Sequence, residues 1–174
     1  RYSAIGSLAP RPPKSCAMTP VLIATSNPGK LRDFAGVAAP MGIAIEPLPN
    51  FASIPGAVED GLIFEANACK KAEYYSKYAP GEIVLADDSG LEVEALGGAP
   101  GVHSARYAAD QPHLVGNNTD DQANNARLIR ELRKIPPEQR TARFVCVIAV
   151  ARDGKTQNSF RGQADGMLLD SSCA

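Results

Sequence analysis

The sequence predicts an α/β fold in which a long mixed β-sheet carries helices on its faces. A short, continuously apolar run at residues 21–24 and the segment 82–86, which is apolar after Glu82, are typical of buried strands. Stretches with apolar residues at helical spacing accompany them, and a strand–turn–strand pattern occupies residues 143–161. The predicted order of elements, β-α-β-α-β-β-α-β-β, indicates a mixed sheet.

The first strand and helix are expected on either side of a polar turn. Residues 21–24 form the strand, and Asn27 can cap the following helix, with Pro28 at its first position, where proline is favoured. Pro40 ends this helix, and residues 43–58 are expected to form a short strand and then a loop. The apolar residues that would face the core are spaced i, i+3, i+4, i+7: Leu31, Phe34, Ala35 and Ala38.

The second helix is predicted from about Leu62 to Tyr78, and Pro80-Gly81 breaks it. Its apolar stripe has one residue per turn: Phe64, Ala68, Ala72 and Tyr75. The buried strand over residues 82–86 then leads to Asp87-Asp88.

A further strand is predicted at residues 91–95, because apolar and polar residues alternate there as in a half-exposed strand. Residues 97–101 form a tight loop and residues 108–118 a longer one. Residues 119–122 match a capping box before a third helix, which Pro136-Pro137 ends. The apolar residues of that helix are Ala123, Leu128, Ile129 and Leu132. The closing hairpin has strands at residues 143–151 and 156–161, joined at Asp153-Gly154.

Composition narrows the class of protein. The 174 residues are 44% hydrophobic, which suits one domain with a real core or most of a larger one. A net charge of −1 argues against a nucleic-acid-binding surface, and no apolar run is long enough to span a membrane. The four cysteines have no paired or metal-like spacing, which predicts reduced thiols and a cytoplasmic protein: Cys16, Cys69, Cys146 and Cys173.

Both ends differ in character from the rest of the chain. Residues 1–19 are rich in Pro, Ser and Ala without periodicity, and Met18 is a natural start, so we expect a disordered leader or a translation artefact there. Residues 20–174 are expected to form a single domain. Its last residues follow a strand-like segment without a closing element.

The first candidate site is the turn Thr25-Ser26-Asn27-Pro28-Gly29-Lys30. A strand followed by a capped helix start directs backbone N–H groups and the positive end of the helix dipole outward, which favours an anion. Lys30 lies on the first helical turn, within reach of a bound phosphate. The segment lacks the earlier glycine and the Ser/Thr after the lysine of a Walker loop. The alternative is an ordinary capped turn with a solvated lysine.

The second candidate site is Asp87-Asp88-Ser89-Gly90. Two adjacent acids after a buried strand repel one another unless a cation or hydrogen-bond donors compensate them, so the pair suits a divalent metal and a water to be deprotonated. Neighbouring strand residues point to opposite faces, and we expect only one carboxylate to enter the site. The alternative is a set of turn-forming residues.

Other acidic residues offer a second metal ligand. Glu59, Asp60 and Glu65 flank the start of the second helix, although dipole compensation or capping accounts better for Asp60 and Glu65. Lys70 and Lys71 have the pattern of solvated lysines, and His103 and His113 lack zinc-like spacing. The two motifs together predict a metal-dependent site for a phosphate ester or anhydride.

Four segments resemble successive blocks of the inosine triphosphate pyrophosphatase family: VLIATSNPGKLRDF, EDGLIFEANACKKA, LADDSGLEVEALGGAPGVHSARY and RTARFVCVIAV. The resemblance implies that Thr25, Asn27 and Lys30 belong to a T/S-x-N-x-x-K triphosphate-binding motif. It implies that Asp88 is the general base and a magnesium ligand. By the same resemblance Ser89 contacts substrate and Lys71 faces the phosphates.

The resemblance further implies a metal-binding Glu before the second helix, for which Glu59 is the nearest candidate. In the family's F-x-E-N pattern, Ala66 stands here where the Glu before Asn67 is usual. The implied fold has two lobes around a nucleotide cleft, and the implied assembly is a homodimer.

The implied reaction is the Mg²⁺-dependent hydrolysis of ITP, dITP and XTP to a monophosphate and pyrophosphate. The family continues into a Gly-Phe-Gly-Tyr/Trp-Asp-Pro segment and a Ser-His-Arg motif that read the base, and neither is present here. The family comparison therefore leaves an alternative open: a truncated, catalytically impaired, nucleotide-binding or structural fragment of such an enzyme.

Overall fold

Residues 19–109 and 121–169 are described by the computed structural model. Their five strands form one mixed sheet in the order β2-β1-β3-β4-β5. The strands are β1 (Val21–Ile23), β2 (Ile45–Pro47), β3 (Val84–Val93), β4 (Thr141–Arg152) and β5 (Lys155–Met167). β1 pairs in parallel with β2 and β3, whereas β3, β4 and β5 are antiparallel. The predicted α/β class and mixed sheet are confirmed. All these strands belong to one sheet.

Three α-helices accompany the sheet over the described residues: α1 (Pro28–Ala38), α2 (Phe64–Ser76) and α3 (Asp121–Leu132). The predicted apolar stripe of α2 is confirmed, since Phe64, Ala68, Ala72 and Tyr75 are all buried. The two alanines on this stripe let the helix pack closely on β3 and β4. None of the helices in the described part of the chain is long and apolar enough to cross a membrane.

The two faces of the sheet differ in how fully they are covered. On the face under α2, the alternating β4 residues Val145, Val147, Ala149 and Ala151 are completely buried. The other face carries α1, whose Phe34 and Val37 border a groove of about 410 Å³ with β4 residues. Phe144 and Phe160 on this second face remain about half exposed, at 53% and 55%. The main core therefore lies between the sheet and α2.

The structure of β3 differs from the prediction. The sequence predicts two strands, at residues 82–86 and 91–95, separated by a turn at Asp87-Asp88-Ser89-Gly90, but the structure has one continuous strand. The reason is the ladder with β4, which pairs ten consecutive residues from Val84↔Ala151 to Val93↔Ala142. Residues that favour turns in isolation are held extended by these long-range hydrogen bonds.

Several boundaries agree with the sequence. Proline at Pro28 begins α1, and a short 3₁₀ helix at Ala39–Met41 follows its last residue. Residues 97–101 lie between 3₁₀ helices at Glu94–Leu96 and Gly101–Arg106, with a cis peptide before Pro100. Residues 1–18 of the predicted leader at 1–19, most of the loop at 108–118, the first half of the capping box and residues 170–174 lie outside the described residues.

Candidate active site

A cleft of about 640 Å³ opens where β1 ends and β3 continues. β1 pairs with β3 at only two positions, Leu22↔Val84 and Ile23↔Leu85, after which the chain leaves the sheet to begin α1. The next residues of β3 therefore face a gap rather than a strand. The polar or charged residues that line this cleft include Thr25, Ser26, Asn27, Lys30, Glu59, Lys71, Asp87, Asp88 and Ser89. Arg106 lines it as well.

The turn before α1 is built as predicted, with one correction. The Asn27 side chain caps the helix by accepting hydrogen bonds from the backbone N–H groups of Gly29 (2.8 Å) and Lys30 (3.3 Å). The N–H of Asn27 itself donates to the Thr25 hydroxyl at 3.1 Å. These three N–H groups already have acceptors within the turn, so the prediction that they are directed outward for an anion is wrong in this structure. The ammonium of Lys30 remains the group aimed at the cleft.

Lys30 reaches from α1 to β3. Its Nζ lies 2.5 Å from Asp87 Oδ2 and donates to the Ser89 hydroxyl at 3.1 Å. The Asp87 side chain is only 5% exposed, while that of Lys30 is 37% exposed. The ion pair therefore sits at the boundary between the core and the cleft, with the ammonium on the open side.

Asp88 lies on the other face of β3, as the alternation of strand residues requires. Its Oδ1 accepts from Lys71 Nζ at 3.0 Å, and its Oδ2 accepts from the amide of Asn67 at 3.2 Å. Lys71 Nζ also lies 3.4 Å from Glu59 Oε2. Two carboxylates from different elements thus converge on one ammonium at the edge of the cleft.

The wall of the cleft that carries Glu59 is held to α2 and to the 3₁₀ helix Gly101–Arg106. The Tyr75 hydroxyl accepts a hydrogen bond from the N–H of Ala57 at 3.1 Å. Arg106 donates to the backbone carbonyl of Glu59 at 3.3 Å. These two bonds fix the position from which the Glu59 carboxylate approaches Lys71.

The sequence model of the Ham1 family matches residues 21–173 of this chain. The chain belongs to the Ham1 family. A curated relative, the dITP/XTP pyrophosphatase of Acidobacterium capsulatum, is 48% identical over 148 residues, which cover 84% of this chain and 72% of the relative. The dITP/XTP pyrophosphatase of Geobacter sulfurreducens is 44% identical over 154 residues, covering 88% and 73%. The resemblance inferred from the sequence is confirmed.

Solved structures of Ham1 proteins share the fold. The Staphylococcus aureus Ham1 protein superposes with a TM-score of 0.70 at 37% identity, covering 87% of this chain and 73% of that structure. A HAM1 protein from Coxiella burnetii gives a TM-score of 0.72 at 31% identity, covering 88% and 75%.

In this Ham1-family chain, most predicted site residues come together. Pro28 and Gly29 are not among the residues that line the cleft. Asp60 binds Lys70 outside the cleft, with Nζ 2.5 Å from Oδ1, and Glu65 accepts from Ser159 at 2.6 Å. These contacts favour Glu59 over Asp60 and Glu65 as the second acidic residue of the site.

The donor set fits a magnesium ion. Within the described residues, no group of three or more His, Cys, Asp and Glu side chains could hold a metal. Magnesium, however, is usually held by one or two carboxylates together with waters and substrate phosphates. Asp88 and Glu59 supply two carboxylates that converge on one cation, the Lys71 ammonium.

The positive and negative charges of the side chains that line the cleft are equal in number. Lys30, Lys71 and Arg106 are cationic, whereas Glu59, Asp87 and Asp88 are anionic. A polyphosphate entering this cleft meets no excess of positive charge, because each lysine already faces a carboxylate. A divalent cation that binds with the phosphates would supply the missing charge.

The structure adds two residues to the site that the sequence did not single out. Asn67 is fully buried on α2, where its amide donates to Asp88 and its Oδ1 accepts from the N–H of Gly61 at 2.7 Å. Arg106 reaches the cleft from the 3₁₀ helix. The available signal for Asn67 was its place as the last residue of the F-x-E-N pattern. Nothing in the spacing of the sequence indicates the position of Arg106.

Proposed function

We propose that this chain catalyses the Mg²⁺-dependent hydrolysis of non-canonical purine nucleoside triphosphates, ITP, dITP and XTP, to the monophosphate and pyrophosphate. The relatives that are 41–48% identical are dITP/XTP pyrophosphatases, which confirms the predicted enzyme class, a nucleoside triphosphate pyrophosphatase. The observation that carries the finer proposal is the position of Asp88, a nearly buried carboxylate that faces the cleft between Lys71 and Asn67.

Asp88 is the proposed base. Hydrogen bonds from Lys71 and Asn67 fix both of its oxygens, so the carboxylate is oriented before substrate arrives. It accepts a proton from water as the water oxygen bonds to the α-phosphorus. The bond between that phosphorus and the bridging oxygen to the β-phosphorus breaks, and the electron pair leaves with pyrophosphate.

Lys30 and Lys71 are the proposed phosphate ligands. Each ammonium lies at the edge of the cleft on one side of β3, Lys30 beside Asp87 and Lys71 beside Asp88. Both can stabilise the negative charge that grows on the transferring group and the leaving pyrophosphate. The hydroxyls of Thr25, Ser26 and Ser89 line the same cleft and can donate to phosphate oxygens.

Asp88 and Glu59 are the proposed magnesium ligands. Bound magnesium would neutralise phosphate charge and polarise the phosphoryl oxygens. In this proposal Asp88 and Glu59 would hold the ion with the carboxylates that now face Lys71, and the Lys71 ammonium would then be available to the phosphates.

The test is pyrophosphate release from ITP, dITP and XTP, with GTP as the comparison substrate, with Mg²⁺ and with EDTA. Asp88→Asn keeps the size of the side chain and should lower kcat by about 10²–10⁴-fold, the usual contribution of a general base. The matched control is Asp60→Asn, which removes one negative charge from a lysine pair outside the cleft and should leave kcat unchanged. Equal turnover in the Asp88→Asn variant, or turnover in EDTA, would refute the assignment.

A second candidate function is nucleotide binding without turnover. The chain spans about 72% of the length of the curated relatives it matches, so part of their length has no counterpart in the alignment. A nucleotide-binding protein without turnover would bind ITP with a measurable affinity by calorimetry but release no pyrophosphate.

Homodimer formation, a cytoplasmic location and the absence of nucleic-acid partners stay predictions. Light scattering on the purified chain tests the first of them directly.

A further inference from the structure

Asp87 is the acidic residue of the cleft that the proposed reaction does not use. It precedes the proposed base along β3, yet its carboxylate points to the face that carries α1. There it meets Lys30 at 2.5 Å, and Ser89, two residues further along the same face, accepts from the same ammonium at 3.1 Å.

The contacts of Asp87 separate it from the proposed metal ligands. Asp88 and Glu59 share the ammonium of Lys71. Within residues 19–109 and 121–169, the ion pair of Asp87 is made to Lys30 instead. The two adjacent acids thus serve two different lysines, one on each face of the sheet.

The burial of Asp87 explains why this pair is persistent. A carboxylate that is 5% exposed loses most of its hydration, and breaking its ion pair would leave an uncompensated buried charge. Lys30, by contrast, has a flexible four-carbon side chain that could place its ammonium at many points along the cleft. The buried partner therefore restricts the exposed one.

We propose that Asp87 is a positioning residue that fixes the phosphate-binding ammonium of Lys30. The inference rests on the proposed function, because it assigns Lys30 to the phosphates. With Asp87 and Ser89 on one side, the ammonium keeps its remaining donor direction toward the cleft and needs little reorganisation when phosphate binds. Removing the Asp87 charge frees the lysine and spreads its ammonium over positions that do not meet the phosphate.

The first experiment is a double-mutant cycle on kcat/KM with dITP, using Lys30→Ala, Asp87→Asn and the pair. Asp87→Asn should lower kcat/KM about tenfold when Lys30 is present. In the Lys30→Ala chain, Asp87→Asn should cause no further loss of kcat/KM. There the substitution only removes a buried acid that has already lost its lysine partner. The Mg²⁺ concentration for half-maximal rate should stay unchanged, because Asp87 is not a metal ligand in this proposal.

The matched control is Asp60→Asn. Asp60 pairs with Lys70 at the same 2.5 Å distance, but its side chain is 67% exposed and lies outside the cleft. The same loss of one charge from one lysine pair should change kcat/KM by less than about twofold, as expected for an exposed ion pair.

The second experiment measures binding of inorganic triphosphate by calorimetry without metal, on the same four chains. Coupling between the two substitutions in this assay does not require turnover. If the two substitutions are coupled in triphosphate binding but the parent chain releases no pyrophosphate, the positioning role is supported and the proposed function is refuted. An active parent with additive substitutions in both assays would leave the proposed function intact and overturn the positioning role.

Two further outcomes would also overturn the inference. One is a loss of equal size from Asp87→Asn in both backgrounds. The other is a shift in the Mg²⁺ requirement that survives in the Lys30→Ala chain, since that would make Asp87 a metal ligand. If Asp87→Asn does not fold, Asp87→Glu in both backgrounds provides the test, because it keeps the charge but displaces the carboxylate from its place beside Lys30.

Discussion

Replacing Gly90 by alanine should destabilise the protein by far more than a single methyl group suggests. Gly90 lies in the middle of β3, paired with Val145, and the 3₁₀ helix Gly101–Arg106 packs against it. A Cβ at this position would lie 2.4 Å from the Ser104 hydroxyl oxygen and 2.7 Å from the carbonyl oxygen of Gly101. Both atoms take part in existing hydrogen bonds, since the Ser104 hydroxyl donates to that carbonyl at 2.6 Å and accepts from the N–H of Leu91 at 2.9 Å.

The size of the effect follows from these contacts. To restore ordinary van der Waals separation, the 3₁₀ helix must move away by up to about 1 Å, which breaks its bond to β3. Overpacking of this kind, with a backbone atom as the obstacle, costs about 2–3 kcal/mol of the free energy of unfolding. With a urea m-value of roughly 2 kcal/mol/M, the midpoint should fall by about 1 M.

Urea unfolding followed by circular dichroism measures this shift. Gly162→Ala on β5 is the matched control, because its nearest non-local atom lies 3.9 Å from the new Cβ and the strand gains a better residue than glycine. If the midpoints of the two variants agree within experimental error, the close approach of the 3₁₀ helix to β3 is not a constraint and the reasoning fails.

Three further predictions concern the cap of α1, Glu131 and Cys146. Asn27→Ala removes the cap of α1 and should cost about 1 kcal/mol of unfolding free energy, seen as a Tm lower by a few degrees. Burial opposes ionisation of Glu131, but the Tyr107 hydroxyl and Arg127 outweigh it and hold the pKa of its carboxyl below the usual range. Their stabilisation is present above the unfolded-state pKa and is lost as pH falls through the folded one. Glu131→Gln should therefore be about 1 kcal/mol less stable at pH 7, and a denaturation series should show the difference vanish in acid. Burial, and then Asp87, raise the pKa of the Cys146 thiol, so peptide mass spectrometry at pH 8 should show slower alkylation than in the denatured chain.

The sequence could predict the elements whose signal is local. The stripe on α2 and the cap at Asn27 depend on residues within one or two turns, and both occur where the pattern places them. The Asp153-Gly154 turn also joins β4 to β5, although both strands are longer than their apolar pattern indicates. Periodicity marks the part of a strand that alternates, whereas pairing with a neighbour extends it further.

The site required information that local spacing does not contain. Lys30 and Asp87 are 57 residues apart and meet only because β1 and β3 are neighbours in the sheet. Residues 87–90 favour a turn by composition, and only the pairing with β4 shows that they are extended. The sequence identified the Asp87-Asp88 pair from its position after a strand and Lys71 through a family resemblance, while Asn67, which donates to Asp88, was named only as the last residue of the F-x-E-N pattern.

Because β1 ends after Ile23, the backbone N–H groups of β3 fall into two sets, those that face β4 and those that face away from it. The odd-numbered residues direct their backbone away from β4: the Leu85 carbonyl accepts from Ala24, and the N–H groups of Leu91 and Val93 donate outside the β4 ladder. By the same alternation, the N–H groups of Asp87 and Ser89 point into the gap that β1 leaves. Hydrogen exchange along this strand should therefore alternate, with slow amides toward β4 and fast ones at the cleft. A bound phosphate that slows those two amides would show that the strand's own backbone is part of the binding surface.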